Sequence, residues 1–220
     1  MTYMRPAQIE KESMRIIAEE LKERGIVLPV QNAAVIRRVI HATADFDFAE
    51  NLVFTPDAVR LATEALKRGA HIVTDTNMAL AGVSTAGLER LGGEKHCFMA
   101  DADVASEAKK RGVTRAVCSV EKAVSLYPGS IYAAGNAPTA LFEIAGQIET
   151  GFSPALVVAV PVGFVNVTEA KEKVFSVCEE KKIPCIMAAG RKGGNTVAAA
   201  ILNALIYEAS ETEDPARRGW

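Results

Sequence analysis

The stretch that decides the fold is Ala155-Leu-Val-Val-Ala-Val160, an unbroken apolar run that ends at Pro161. A run without alternation of apolar and polar residues is typical of a strand buried on both faces, as strands of parallel sheets are. Two similar runs cover residues 131–134 and 183–189. A Gly-rich turn and a helical pattern follow each run, over residues 139–149, 168–182 and 195–209. Strand, turn and helix repeated in this way predict right-handed βαβ crossovers.

The amino-terminal half carries weaker patterns. Apolar periodicity predicts helices over residues 6–25 and about 30–44, and Thr55-Pro56-Asp57 predicts the start of a third, which ends at Gly69. Short strands are expected over residues 71–74 and 95–100. Because no repeat or linker interrupts the chain, we expect residues 1–209 to form a single α/β domain, with a mostly parallel sheet and helices on both faces. Residues 210–220 lack periodicity and are expected to be a mobile tail.

Composition excludes several functional classes. The chain has 220 residues, and Lys+Arg 25 against Asp+Glu 27 leaves a net charge of -2. Nucleic-acid binding needs a surplus of positive charge along one face, so no nucleic-acid partner is expected. No apolar run reaches the roughly 20 residues that a membrane helix needs, so no membrane association is expected. The charged, amphipathic start lacks the apolar core of a secretion signal.

The four cysteines show no metal-binding or disulfide pattern. Cys97, Cys118, Cys178 and Cys185 include no C-x-x-C pair. Buried, reduced thiols are the expected state, which favours a cytoplasmic protein without a metal site.

Three turns are candidates for ligand binding, because turns at the carboxyl ends of parallel strands line the ligand crevice. They cover residues 135–139, 161–166 and 190–195, and each leads into a helix whose free N–H groups favour anions. The third turn adds the cationic side chains of Arg191 and Lys192. A ligand with several negative groups is therefore expected. Gly and Asn are also ordinary turn residues, so each turn has an alternative, purely structural interpretation. Asp75 and Asp101, at strand ends, are interpreted mainly as helix caps.

Among the three histidines, His41 is the candidate acid or base. Arg38 lies one turn before it on the same helix face, and the acidic residues Asp45, Asp47 and Glu50 follow. An imidazole in such surroundings can titrate near neutral pH. A single helical histidine is more often structural, so composition leaves both interpretations open. His71 and His96 lie in predicted strands and are expected to be structural.

Several segments, in this order and spacing, resemble one family over about residues 5–207. The segments are IEKESMRII at 9–17, VIHA at 39–42, FTPD at 54–57, TDTNM at 74–78, TR at 114–115, GNAPTAL at 135–141, PVGFV at 161–165, EAK at 169–171 and GRKGG at 190–194. Together they resemble precorrin-8X methylmutase and its counterpart, cobalt-precorrin-8 methylmutase, which are enzymes of corrin-ring biosynthesis.

The resemblance implies a homodimeric enzyme that moves a methyl group from carbon 11 to carbon 12 of the corrin ring, without an added cofactor or metal. His41 matches the family's proton donor/acceptor, and Ser13, Arg38 and Arg115 match substrate-contacting positions. The substrate it implies is a flat macrocycle fringed with carboxylates.

Three further residues are candidates for binding these carboxylates: Asn136, Arg191 and Lys192. Arg191 and Lys192 have an alternative interpretation as solvated turn residues, and Ser13 has one as a packing residue. Two other functions also stay open at this point: a corrinoid carrier without chemistry, and an α/β enzyme that acts on a phosphorylated small molecule.

Overall fold

A six-stranded sheet forms the centre of the structure, a computed structural model that describes residues 5–218. Its strands are β1 (Leu52–Phe54), β2 (Ile72–Thr74), β3 (Lys95–His96), β4 (Ile131–Ala134), β5 (Leu156–Ala159) and β6 (Cys185–Ala188). Their order is β1-β6-β5-β4-β2-β3, and only β1 runs antiparallel to its neighbour. The predicted, mostly parallel sheet is therefore confirmed.

Helices precede, connect and follow these strands. They are α1 (Pro6–Glu23), α2 (Ala33–Thr43), α3 (Phe48–Asn51), α4 (Ala58–Lys67), α5 (Asn77–Gly82), α6 (Thr85–Arg90), α7 (Ala102–Arg111), α8 (Arg115–Leu126), α9 (Pro138–Glu149), α10 (Val167–Lys181) and α11 (Asn195–Ala209), followed by a 3₁₀ turn at Pro215–Arg218.

Two apolar cores cover the two faces of the sheet, as the fully buried strands require. Along β4, Ile131 and Ala133 belong to one core, whereas Tyr132 and Ala134 belong to the other. The first core contains buried residues of α1, α2, α4 and α11, and the second contains those of α8, α9 and α10. The prediction of helices on both faces is thus confirmed.

The amino-terminal half differs from its prediction in detail. The third predicted helix begins at Ala58 rather than Pro56, because Asp57 has a left-handed backbone with φ of 59°, which a right-handed helix excludes. The strand predicted over residues 95–100 is limited to β3, because only Lys95 and His96 find partners on β2. Strand β1 and the helices α3 and α5 to α8 were not predicted.

Residues 210–218 pack against α1, which differs from the expected mobile tail. Thr212 and Pro215 are buried, Lys11 Nζ pairs with Asp214 Oδ1 at 2.9 Å, and Arg218 pairs with Glu10. Residues 1–4 of the predicted domain and 219–220 of the predicted tail lie outside the described residues. Within residues 5–218, no helix combines the length and the apolar character needed to cross a membrane.

Candidate active site

The loops after β2, β4, β5 and β6 emerge at one rim of the sheet, because these strands are parallel. The antiparallel β1 begins at this rim, where Leu52 pairs with Ala188. The chain just before β1 therefore lies there too, and Lys192 Nζ ties it to the loop after β6 by contacts of 2.6 Å to both Asp45 and Asp47. The carboxyl-terminal end of α2 is thus held beside the rim.

His41 lies in the last turn of α2 and is half-buried. Burial lowers its pKa from the ordinary value, the charges of Arg38 and Arg218 lower it further, and the charge of Glu10 opposes them. Within residues 5–218, no hydrogen bond to the His41 ring nitrogens contributes to this shift. At neutral pH the imidazole is therefore uncharged and able to accept a proton.

A cleft of about 290 Å³ adjoins this helix at the rim. Its lining combines α2, α5 and α11: Arg38, Ala42, Met78, Gly82, Asn195, Thr196, Ala199, Ala200 and Asn203. Asn195 fixes one wall, because its Oδ1 accepts a hydrogen bond from Thr76 Oγ1 at 2.7 Å and its Nδ2 lies 3.3 Å from Met78 Sδ. Most of these lining side chains are uncharged, and Arg38 contributes the one guanidinium among them.

Arg38 also lines a second cleft, of about 450 Å³, between α1, α2, α11 and the carboxyl-terminal segment. Its Nη2 lies 2.7 Å from Glu10 Oε1, and its guanidinium carbon lies 5.1 Å from the Tyr207 ring centroid. Ser13 is half-buried on α1, next to Met14 of this cleft lining. The structure thus brings His41, Arg38 and Ser13 to one side of the sheet.

The turn after β4 is not the free anion site that the sequence analysis expected. Asp75 accepts the backbone N–H groups of Gly135, Asn136 and Ala137 at 2.7–2.9 Å. Burial raises the pKa of Asp75, although these hydrogen bonds oppose the rise. Asp75 thus caps this turn rather than a helix, because the N-cap of α5 is Thr76. It occupies N–H groups of the turn that an anion would need. The Asn136 side chain is exposed at the rim.

Arg115 is exposed at the start of α8, which packs on the other face of the sheet. It lies near the rim, because its neighbour Thr114 donates to Thr139 in the first turn of α9 at 2.9 Å. Within residues 5–218, no hydrogen bond or ion pair joins Arg115 to His41 or Arg38. The structure therefore does not bring Arg115 together with the His41 group in one chain.

The loop after β6 is held by a buried lysine that the sequence analysis did not single out. Lys171 is 1% exposed and donates to the carbonyl groups of Gly190 and Lys192, both at 2.8 Å. Burial lowers its pKa to about 8. Lys192 forms ion pairs with Asp45 and Asp47, so it is not a simple solvated turn residue. The guanidinium carbon of Arg191 lies over the Phe164 ring, 5.4 Å from its centroid.

Four functional candidates were missed by the sequence analysis: Glu10, Lys171, Tyr207 and Arg218. Glu10 pairs with Arg218 across 208 positions, and Tyr207 contacts Arg38 from another helix, so no local pattern reveals these three. A lysine in the apolar stripe of a helix, as at position 171, is the one signal that the sequence offers.

His71 and His96 form an aromatic cluster at the edge of the sheet, away from the rim. The His96 ring stacks on Tyr127 with centroids 4.1 Å apart, and His71 Nδ1 accepts the Glu94 N–H at 3.0 Å. Glu94 lies beside both rings, so the three groups have the composition of a metal-ligand set. Because His71 Nδ1 is already an acceptor and the Glu94 side chain is 70% exposed, the cluster fits the expected structural role.

Comparison with known proteins gives consistent matches over nearly the whole chain. Residues 8–208 match the family described as precorrin-8X methylmutase. The cobalt-precorrin-8 methylmutase of Leptospira interrogans is 43% identical over 92% of this chain and 94% of its own. The precorrin-8X methylmutase of Pseudomonas aeruginosa is 36% identical over 94% of this chain and 98% of its own.

A solved structure agrees with the fold as well. The crystal structure of precorrin-8X methylmutase from Thermus thermophilus superposes with a TM-score of 0.83 and 37% identity. The match covers 92% of this chain and 98% of that one.

Proposed function

The chain belongs to the precorrin-8X methylmutase family, and from this premise we propose that His41 exchanges a proton with a corrinoid bound at the carboxyl rim of the sheet. As a methylmutase, the protein is an isomerase of cobalamin biosynthesis. The observation that carries the site is the half-buried His41 imidazole one helical turn from Arg38, on a helix end fixed to the rim, where burial and the Arg38 charge lower its pKa.

The reaction moves a methyl group within one substrate, from carbon 11 to carbon 12 of the ring. No methyl donor is consumed, so the protein has to orient the macrocycle and set its protonation state. Uncharged His41 accepts a proton from the conjugated ring and, as the resulting imidazolium, returns it, so that the ring reaches the tautomer from which migration proceeds. One such proton transfer is worth about 10²–10⁴ in rate, and orientation adds to it.

The charges around the clefts support binding of a polycarboxylate. Arg38 lines both clefts, so a carboxylate that enters either one meets its guanidinium. Arg191 forms no ion pair within residues 5–218 and is exposed at the same rim. Ser13, Asn136, Arg115 and Lys192 remain proposed substrate contacts, of which Lys192 would first have to leave Asp45 and Asp47.

The cobalt-containing substrate is the favoured form. Relatives from Leptospira interrogans and Priestia megaterium, at 43% and 39% identity, are both named cobalt-precorrin-8 methylmutase. Cobalt is part of the substrate here and needs no ligands from the protein.

Incubation with precorrin-8X and with cobalt-precorrin-8, followed by visible absorbance, tests the function directly. We expect conversion of the cobalt form to cobyrinate, with slower conversion of the metal-free form. A protein that binds the corrinoid without converting it would be a carrier, and affinity for a sugar phosphate instead would indicate the third alternative. Either result contradicts the proposal.

We also propose a homodimer located in the cytoplasm. The resemblance implies the dimer, and large exposed apolar side chains support a covered surface: Ile9 at 52% and Ile16 at 48% on α1, with Phe164 at 83% and Val165 at 76% in the loop after β5. The cysteines are all free, which suits a reducing compartment. Sedimentation velocity tests the dimer, and a monomer at micromolar concentration would contradict it.

A further inference from the structure

The Arg218 side chain makes more hydrogen bonds than an exposed side chain in a terminal segment would make. Its Nη1 donates to both carboxylate oxygens of Glu10 at 2.8 and 2.9 Å. Its Nε and Nη2 donate to the carbonyl groups of Thr212 and Glu213, both at 2.7 Å. The guanidinium lies 3.7 Å over the Tyr207 ring, and the side chain is only 7% exposed. These contacts fix the guanidinium in one orientation.

Glu10 connects this anchored arginine to Arg38. It lies between the two guanidinium groups, and the side chains of Glu10 and Arg38 are 15% and 16% exposed. Burial raises the pKa of Glu10, but hydrogen bonds from Arg38 and Arg218 and their charges hold it below its ordinary value. The carboxylate is therefore ionised at neutral pH and aligns Arg38 with the Tyr207 ring.

The three groups carry one excess positive charge, because a single carboxylate faces two guanidinium ions. The other charged residues that line the same cleft are Lys11, Arg37, Glu213 and Asp214, whose charges cancel. An anion that enters beside Arg38 thus meets an unneutralised charge that is already oriented. Without Arg218, Glu10 would neutralise Arg38 completely.

We propose that Arg218 is a positioning residue: it holds Glu10, and so leaves Arg38 aligned and electrically free to bind a carboxylate arm of the corrinoid. This inference rests on the proposed function for the identity of the arm. It assigns residues 210–218 a role in the substrate site.

The charged groups that act on His41 come from every element of this cluster. They are Glu10 on α1, Arg38 on α2 and Arg218 on the carboxyl-terminal segment, while α11 contributes Tyr207 beneath the two arginines. Removal of a positive group raises the pKa of His41, and removal of the negative group lowers it. These shifts follow from the three charges alone, so the pKa of His41 tests whether the cluster is assembled in solution, whereas the split between KM and kcat tests the positioning role.

The experiment compares Arg218→Gln and Glu10→Gln, with Arg217→Gln as a matched control on the exposed neighbour. We expect Arg218→Gln to raise KM for cobalt-precorrin-8 about tenfold and to change kcat less. NMR titration of His41 without substrate is expected to show a higher pKa in Arg218→Gln and a lower one in Glu10→Gln. Arg217→Gln should leave both readouts at their native values.

Arg218→Lys keeps the charge if Arg218→Gln is too unstable to purify, and it should keep the native pKa of His41 while KM rises. An unchanged KM in Arg218→Gln, or pKa shifts of the same sign in the two glutamine variants, would overturn the inference. The titration needs no substrate, so it separates the two proposals. Opposite pKa shifts in a protein that converts no corrinoid would refute the proposed function and leave the positioning of the cluster standing.

Discussion

Lys192 contacts Asp45 across the rim of the sheet, with its Nζ 2.6 Å from Asp45 Oδ2, and so fixes the turn that follows His41 to the loop that follows β6. The hydrogen bond to Asp45, with the one to Asp47, raises the pKa of Lys192, so the pair stays charged at neutral pH. Lys192→Ala should free this turn and lower kcat/KM about tenfold through misplacement of His41. Lys109→Ala, on the exposed surface of α7, is the control. If Lys192→Ala kept the native kcat/KM, as the control does, the proposed effect of Lys192 on the position of His41 would be contradicted.

Replacement of His41 by alanine tests the proton transfer itself. Turnover should fall about 10²–10⁴-fold, while binding of the corrinoid, measured by visible absorbance, stays close to native. His71→Gln is the matched control, because His71 lies in the aromatic cluster away from the rim. Normal turnover in His41→Ala would contradict the proposed role.

The acid side of the pH–rate profile should report the lowered pKa of His41. Burial and then Arg38 lower this pKa below 6.5, so the imidazole is a proton acceptor throughout the neutral range. We expect kcat/KM to be constant near pH 7 and to fall with a midpoint below 6.5. A rate that rises on acidification would identify the imidazolium as the active form.

The same shift predicts a pH effect on stability. Because the folded pKa is the lower one, the unfolded chain binds more protons between the two values. The contribution of His41 to the free energy of unfolding therefore decreases as the pH falls below about 6.5. Urea denaturation of the native protein and His41→Ala at pH 7.5 and 5.5 measures it. The native protein should lose more stability than the variant.

Asp75 should be needed for stability because it satisfies three backbone N–H groups in a buried position. Asp75→Asn replaces one acceptor oxygen by a donor that faces those N–H groups. We expect the free energy of unfolding to fall by about 2–3 kcal/mol in urea titrations. Glu172→Gln, at an exposed carboxylate of α10 that forms no ion pair within residues 5–218, is the control and should unfold like the native protein. Equal behaviour of the two variants would contradict this account.

Gly193 should tolerate no side chain, because a Cβ atom there would lie 2.2 Å from the Val160 carbonyl oxygen. This neighbour is backbone, so Gly193→Ala should displace the loop after β6 and cost about 2 kcal/mol of stability. Gly129→Ala is the control, since a Cβ atom there meets nothing within 4 Å. Thermal unfolding measures the difference, and equal melting temperatures would refute the close approach.

The parts of the fold that local sequence encodes were predicted, and the parts that depend on remote partners were not. Strands β4, β5 and β6 are buried on both faces, so their apolar runs are visible in the sequence. Strand β1 has only three residues, Leu52–Phe54, and exists because β6 offers it an edge. No local pattern carries that information.

The candidate site shows the same division. His41 and Arg38 are one helical turn apart on α2, so their proximity can be predicted from the sequence. Glu10 and Arg218 are 208 positions apart and meet only in the folded chain. The expectation for the turn at residues 135–139 was wrong for a similar reason, because Asp75, from the end of β2, occupies its N–H groups.

The antiparallel direction of β1 decides at which border of the sheet the His41 imidazole lies. If Leu52–Phe54 ran the other way, its first residue would lie about 7 Å further from the rim, which is two steps of about 3.3 Å along an extended strand. Helix α2 would then deliver its last turn to the border where strands begin, far from every Gly-rich connection. Because β1 is antiparallel, the chain joins the edge of the sheet without an additional crossover. His41 therefore lies at the same border as the loops that face the ligand.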